Sequence, residues 1–466
     1  MTADRPNIVV LVLDTLRARN VSCYGYDRET TPFLDQIAAA GVKCENAYTV
    51  APWTLPAHAS LFTGLYPSEH GADARSKHLD PELPVLPAQL SEAGYTTIGV
   101  SNNLWLSPGF GTARGFDRFE LMWQLFDTAD IAAPLNAEET RTAAVLSMLR
   151  NVAGGNPLKR AVNLVYGYLF RKSRRRAEKT NDRVVSAVDG VEEPYFLFVN
   201  YMEPHLPYRP PQTYAERFLP DDVTPGEART VPQEPWDYVF GDEEMDDRIE
   251  VLRGLYDAAV AYLDEQVGRL VDRLEAENDR DTLFVVLSDH GENLGEHGLL
   301  SHQYSLENTV LRVPLILYGD GVESGVVAEH RDLLDLHATL LDAAGVSADS
   351  RGTPLQQQRS REYCYAQYLQ PLPPVHRLEE KYGISEAALD GRQDLEAVIG
   401  GETKLIQFAD RVETRENTYE EPRVADDEGL QEALDRWRAS LDSHDVQEDR
   451  DLEENVKQRL EELGYY

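Results

Sequence analysis

Asp14, Thr54, His205, Asp289 and His290 lie far apart in the chain, yet each stands at the end of an apolar run or at a helix entry. Two carboxylates and an imidazole brought together form a ligand set for a divalent cation, and a hydroxyl can complete it. Thr54 opens that possibility in the stretch APWTLPAHASLFTGLYPSEHG, residues 51–71. There Thr54 precedes Leu-Pro, then His58, then an apolar helical run that Gly64 can stop. Pro56 suits a first helical turn, where a missing N–H costs nothing. A hydroxyl at a helix N-terminus meets the positive end of the dipole and free N–H groups, which favour an anionic group nearby. A cation touching that hydroxyl lowers its pKa and offsets charge on a phosphoryl or sulfuryl group. Taken alone, T-x-P is an ordinary Thr cap. Asp14, Asp289 and His290 together turn the stretch into a candidate nucleophile loop. The loop GENLGEHGLLSHQ adds His297 and His302.

The elements that must carry these residues are legible. Asn7–Leu13 is a continuous apolar run, the pattern of a central parallel strand buried on both faces, and it ends at Asp14. Tyr195–Tyr201 is a second such run and leads into MEPHLPYRPP, with His205. Thr282–Leu287 is a third and ends at Ser288-Asp289-His290-Gly291. Thr96–Val100 ends at Ser101-Asn102-Asn103, and Leu311–Tyr318 reads as a further strand. Helices are expected over 31–40, 86–93 and 332–344, with a long amphipathic helix pair over 247–276. Strands alternating with helices, and polar residues at strand ends, give a doubly wound, mostly parallel α/β domain over residues 1–350. Short separated strands past 350 suggest a small antiparallel sheet subdomain over 351–466, closed by an acidic helical tail. Residues 120–190 read as a helical insertion.

The net charge is −36, from 81 acidic and 45 basic residues, only eight of them Lys. Such a chain repels phosphate backbones, so nucleic acid is excluded as a general partner. An acid-rich, Lys-poor surface suits a high-salt interior, where screening removes self-repulsion. Cys23, Cys44 and Cys364 are too few and too scattered for a disulfide framework or a zinc site. The early apolar run is too short for a signal peptide, and no run approaches the ~20 apolar residues of a membrane span, so a cytoplasmic location is expected. Residues 158–179 reverse the charge trend: eight basic residues stand there against Glu178, with Leu158, Val162, Val165 and Leu169 on one helical face. That pattern fits either peripheral contact with an anionic membrane or packing on the acidic body of the same protein.

Ordered motifs over about residues 5–345 resemble the sulfatase branch of the alkaline phosphatase superfamily. They are NIVVLVLD at 7–14, TLPAHASLFTG at 54–64, GYTT at 94–97, NYMEPHLPY at 200–208, SDHG at 288–291 with GEHG at 295–298, RVPLI at 312–316, and DLHATLLDAAG at 335–345. Several motifs in order are more specific than any one of them. The resemblance implies metal ligation by Asp14, Thr54, Asp289 and His290. It also implies substrate contacts from Asn102, His205 and His302, and a site position for His58. The departures are informative. Formylglycine sulfatases carry Cys or Ser where this chain has Thr54, and Arg where it has His58. A Thr is a secondary alcohol and cannot become that aldehyde, so no formylglycine is expected. Thr15 replaces an acidic residue, Asn102 a Lys, Leu104 a His and His302 a later Lys. Tyr201 stands where two-metal members have Asp, so one metal ion (Ca, Mn, Mg or Zn) is expected. The resulting expectation is a Thr-nucleophile hydrolase or transferase for phosphate or sulfate esters, phosphodiesters included. Its substrate would be an anionic ester on a glycan or lipid headgroup. The alternatives are a true sulfuric ester hydrolase without formylglycine, and a non-catalytic binder of sulfated or phosphorylated glycans.

Overall fold

The computed structural model describes residues 5–124 and 157–442, apart from 241–245, 278–279, 348–349, 358–360, 371–372, 385, 390, 420–422 and 426. Much of the expected 120–190 insertion, and the tail beyond 442, lie outside the described residues. The main sheet has eight strands. They are β1 (Asn7–Leu13), β2 (Val42–Tyr48), β3 (Thr96–Ser101), β4 (Arg118–Leu121), β5 (Tyr195–Tyr201), β6 (Thr282–Leu287), β9 (Leu315–Gly319) and β10 (Gly325–Asp332). A two-stranded ribbon, β7 (Asn293–Leu294) and β8 (Leu300–Ser301), lies between β6 and β9 in sequence. The sheet order is β10-β2-β9-β6-β1-β5-β3-β4, and only β9 runs antiparallel to its neighbours. A separate antiparallel sheet follows, with β11 (Cys364–Tyr368), β12 (Leu395–Gly400), β13 (Thr403–Gln407) and β14 (Val412–Glu416) in sequence order.

The middle of the large sheet is what positions the site. β1, β5 and β6 are buried along their whole length, as continuous apolar runs require when helices cover both faces. β6, β1, β5 and β3 lie side by side and parallel. Their ends are level: Leu13 pairs with Tyr201, Val12 with Leu287, and Ser101 with Asn200. Asp14, Asp289, Asn103 and the Met202–His205 loop therefore leave the sheet at one carboxyl edge, where open α/β sheets hold their ligands.

The structure alters two sequence expectations and adds to others. Residues 246–277 form a single helix, Asp246–Glu277, not a pair. The strand expected from Leu311 begins at Leu315, because Asn308–Leu311 makes a helical turn ahead of Pro314. Val42–Tyr48 and Gly325–Asp332, both polar and partly exposed, are main-sheet strands that apolar patterning does not reveal. In the basic segment, the helix Pro157–Lys172 buries Asn163 and Phe170 against the body of the protein while it exposes Val165 by 60% and Leu169 by 58%. Among the described residues no helix is long and apolar enough to cross a membrane. The three cysteines are free thiols.

Candidate active site

Thr54 is the first residue of the helix Thr54–Thr63, with Trp53 in the capping position. Its hydroxyl caps nothing in its own helix. Thr54 Oγ1 instead accepts a hydrogen bond from Asn103 Nδ2 at 3.0 Å. The same amide nitrogen donates to Asp14 Oδ2 at 2.8 Å. The orientation of that amide is fixed from behind, because Trp105 N–H donates to Asn103 Oδ1 at 3.0 Å. Asn200 Nδ2 adds a longer bond to Asp14 Oδ2, 3.4 Å.

Asp14, Asp289 and His290 offer ligand atoms that all lie within 4.8 Å of one another. Asp14 Oδ1, Asp289 Oδ2 and His290 Nε2 are buried and have no hydrogen-bond partner. Buried carboxylate oxygens are ordinarily satisfied, so three convergent orphans form a set that could hold a cation. The remaining atoms are held firmly. Asp289 Oδ1 accepts from Thr15 N at 3.3 Å and from His290 N at 3.0 Å. Thr15 reaches that bond with a positive φ of 61°, an unusual conformation for a β-branched residue and typical of functional turns. His290 Nδ1 is bound to Gly291 O at 2.9 Å, which leaves Nε2 facing the carboxylates. Burial, together with the neighbouring Asp289 charge, raises the Asp14 carboxyl to about 6. Burial likewise raises Asp289 to about 7. Burial, with His302 beside it, lowers His290 to about 3, so its imidazole is neutral and able to ligate.

His58 Nδ1 lies 2.8 Å from Thr54 O and 3.5 Å from Asp289 Oδ2. Its ring packs edge-on against Phe62 and Phe198, so it sits beneath the first turn of the Thr54 helix. His302 Nδ1 is 3.0 Å from Glu292 Oε1, and Tyr208 OH donates to the other Glu292 oxygen at 3.3 Å. The His302 ring centre lies 4.4 Å from that of His290 and 5.5 Å from that of His205. His205 Nδ1 is 2.6 Å from Leu206 O, which orients the ring. Asn102 is turned away: its Nδ2 donates to Thr180 Oγ1 at 3.0 Å, and the next residue, Asn103, reaches Thr54. His297 points to Glu307, 3.9 Å away, not to the cluster. Asn103, Asn200 and Glu292 are additions that the sequence reading did not make. A strand-end Ser-Asn-Asn and the Glu two residues after His290 were the signals available.

A doubly wound sheet thus carries a helix-start hydroxyl beside an Asp-Asp-His cluster at its carboxyl edge, an arrangement able to set a cation against a hydroxyl. The Sulfatase family model matches residues 6–346, and the chain belongs to that family. Among curated relatives, the uncharacterized sulfatase YidJ of Escherichia coli (strain K12) is 27% identical over 354 residues, 72% of this chain and 68% of that one. The choline-sulfatase of Rhizobium meliloti (strain 1021) is 26% identical over 439 residues, 85% of this chain and 81% of that one. The solved phosphonate monoester hydrolase of Agrobacterium radiobacter shares the fold, with a TM-score of 0.69 at 20% identity over 93% of this chain and 96% of that one.

Proposed function

We propose that this sulfatase-family hydrolase acts on phosphate or sulfate esters through Thr54 as nucleophile, as a hydrolase or a transferase. The observation that carries the reading is the convergence of the orphaned Asp14 Oδ1, Asp289 Oδ2 and His290 Nε2, joined to Thr54 Oγ1 through Asn103. These residues, with Thr54 as a fourth ligand, would hold one divalent cation (Ca, Mn, Mg or Zn), which supplies positive charge that acidifies a hydroxyl and offsets charge on ester oxygens. Thr54 Oγ1 attacks the phosphorus or sulfur in line, and the ester oxygen leaves from the opposite face. Asn103 holds Thr54 Oγ1 and Asp14 at a fixed separation. His205 steadies the non-bridging oxygens, and His302, its ring fixed by Glu292, stands on the leaving-group side. His58 braces the Thr54 turn against Asp289. Water or an acceptor alcohol then releases the group from Thr54.

A second reading is a sulfuric ester hydrolase working without formylglycine. It is favoured by the Asp14-Asp289-His290 group being the one such cluster found among the described residues. A sulfate monoester carries less charge than a phosphate monoester, so one cation suffices more readily. One experiment separates the two: initial rates on an aryl sulfate, an aryl phosphate monoester and an aryl phosphate diester, with and without chelator. The substrate turned over fastest names the chemistry. Thr54→Ala must abolish that turnover while keeping the fold; full activity in this variant, or in the chelated wild type, would sink the mechanism.

A further inference from the structure

The helix Pro157–Lys172 presents two different faces. One is packed: Asn163, Gly167 and Phe170 are buried and Tyr166 is half-buried. Phe170 and Tyr166 belong to the apolar cluster that contains Leu11, Leu197 and Val199 of the central strands. The other face is open. Val162 is exposed by 36%, Val165 by 60% and Leu169 by 58%. Six large apolar side chains are exposed among the described residues, and three of them stand on this one helix. Lys159, Val162, Val165, Leu169 and Lys172 follow one another at steps of three or four residues, so they share one side of the helix. The row is apolar in the middle and has an exposed Lys at each end. A single exposed apolar residue needs no explanation, but a row of them bounded by charge marks a contact surface.

The charge around the row selects its occupant. Residues 159–179 carry eight basic residues against Glu178, in a chain whose net charge is −36. A two-fold contact with a second copy would set this positive segment against itself. An anionic bilayer meets both features at once: the apolar row enters the acyl boundary while the lysines reach the headgroups. The rest of the acidic surface is repelled by such a bilayer, so this face alone can approach it and the bound orientation is fixed. The segment is also joined to the candidate site. Ser173 N–H donates to Phe170 O at 3.0 Å, and the chain then enters the helix Arg176–Val188. There Arg176 Nη2 donates to Met202 O at 3.0 Å, and Thr180 Oγ1 accepts from Asn102 Nδ2 at 3.0 Å. A short turn thus connects the open face to the loops at the carboxyl edge of the sheet.

We propose that the face formed by Lys159, Val162, Val165, Leu169 and Lys172 docks the protein on an anionic phospholipid bilayer. The helix lies in the plane of the interface, with Val162, Val165 and Leu169 turned toward the acyl chains. The inference stands apart from the ester-hydrolase reading and survives its failure. Salt divides the work between the two parts of the face. At low KCl the lysines draw the helix to the headgroups. In molar KCl the screening length shrinks to ~3 Å, and the apolar row carries the binding.

The test is co-sedimentation of the full chain with phosphatidylglycerol and with phosphatidylcholine vesicles, at the lowest and the highest KCl at which the protein stays folded. The wild type binds phosphatidylglycerol vesicles, and at low KCl binds them more tightly than phosphatidylcholine. Val165→Ser/Leu169→Ser lowers the partition coefficient at least ~tenfold at either salt. Lys159→Gln/Lys172→Gln lowers it about tenfold at low KCl and less than about twofold at high KCl. The substituted side chains are exposed, so thermal melts of both variants stay close to the wild type, which separates lost docking from lost fold. Leu169→Trp supplies a gain of signal, since brominated phosphatidylglycerol quenches the fluorescence that this residue adds. A wild type left in the supernatant by phosphatidylglycerol vesicles overturns the proposal, as does a serine variant that binds like the wild type. A concentration-dependent dimer that the serine variant abolishes, with no vesicle binding, assigns the face to a second copy and overturns it as well.

Discussion

Replacing Asn103 with Ala probes the one side chain that couples the proposed nucleophile to the cation cluster. The change deletes the donor to Thr54 Oγ1 (3.0 Å), the donor to Asp14 Oδ2 (2.8 Å) and the acceptor for Trp105 N–H (3.0 Å). A hydrogen bond to a charged group contributes ~1.5–3 kcal/mol, and a buried N–H left without a partner costs ~1–3 kcal/mol. The fold should therefore lose roughly 2–4 kcal/mol, a shift of several degrees in melting temperature. Turnover should fall further, on the order of a hundredfold, because Thr54 loses the contact that fixes its hydroxyl beside Asp14. Asn103→Asp separates the two effects. It keeps an oxygen for Trp105 N–H but sets a second oxygen against Thr54 and Asp14, so it should retain more stability than Ala while losing as much activity. The assay is kcat on the best aryl ester with thermal melts of all three proteins at saturating metal. An Asn103→Ala enzyme within about threefold of wild-type kcat would refute the coupling, since the estimated contact energies forbid so small an effect.

A clamp behind the site makes acid stability a second test. Lys404 of β13 donates to Leu306 O, Asn308 Oδ1 and Glu307 Oε2, and Arg415 of β14 is 3.0 Å from Glu307. The next residues brace the loop that follows His290, since Gly291 N–H donates to Val310 O and Glu292 N–H to Thr309 O. Burial alone would raise the Glu307 carboxyl, but Lys404 and Arg415 outweigh it and hold the group at about 2, against 4.5 ordinarily. The folded state then binds fewer protons than the unfolded chain, so this stability is present above pH 4.5 and is lost as pH falls toward about 2. Glu296 beside Arg17 follows the same rule, with burial opposed by Arg17. Glu307→Gln should lower stability near neutral pH by ~3–5 kcal/mol, since it breaks a buried pair, and should flatten melting temperature against pH below 4.5. A variant with the wild-type acid slope would rule the clamp out as its source. The −36 charge predicts loss of fold as KCl is lowered; full stability in dilute buffer would remove the high-salt expectation.

The sequence by itself determined the strands buried on both faces. Tyr195–Tyr201 and Thr282–Leu287 are legible to the residue, because a strand covered by helices on both sides is apolar at every position. It also determined the residue types at the ends of those strands, hence the Asp14, Asp289 and His290 set, and the Thr at position 54. Val42–Tyr48 and Gly325–Asp332 were illegible because a half-exposed strand pays no penalty for Lys43, Glu45 or Glu329, so no apolar run marks it. Whether Asn102 or Asn103 faces Thr54 depended on one step of the chain. Neighbouring side chains past a strand end point to opposite sides, and only the packed turn at Ser101 and Trp105 selects one. The bonds from Asn103 to Asp14 and to Thr54 join segments that the sequence keeps far apart. Tertiary structure decided these contacts because they depend on strand order, and β6, β1, β5 and β3 become neighbours only when the sheet assembles.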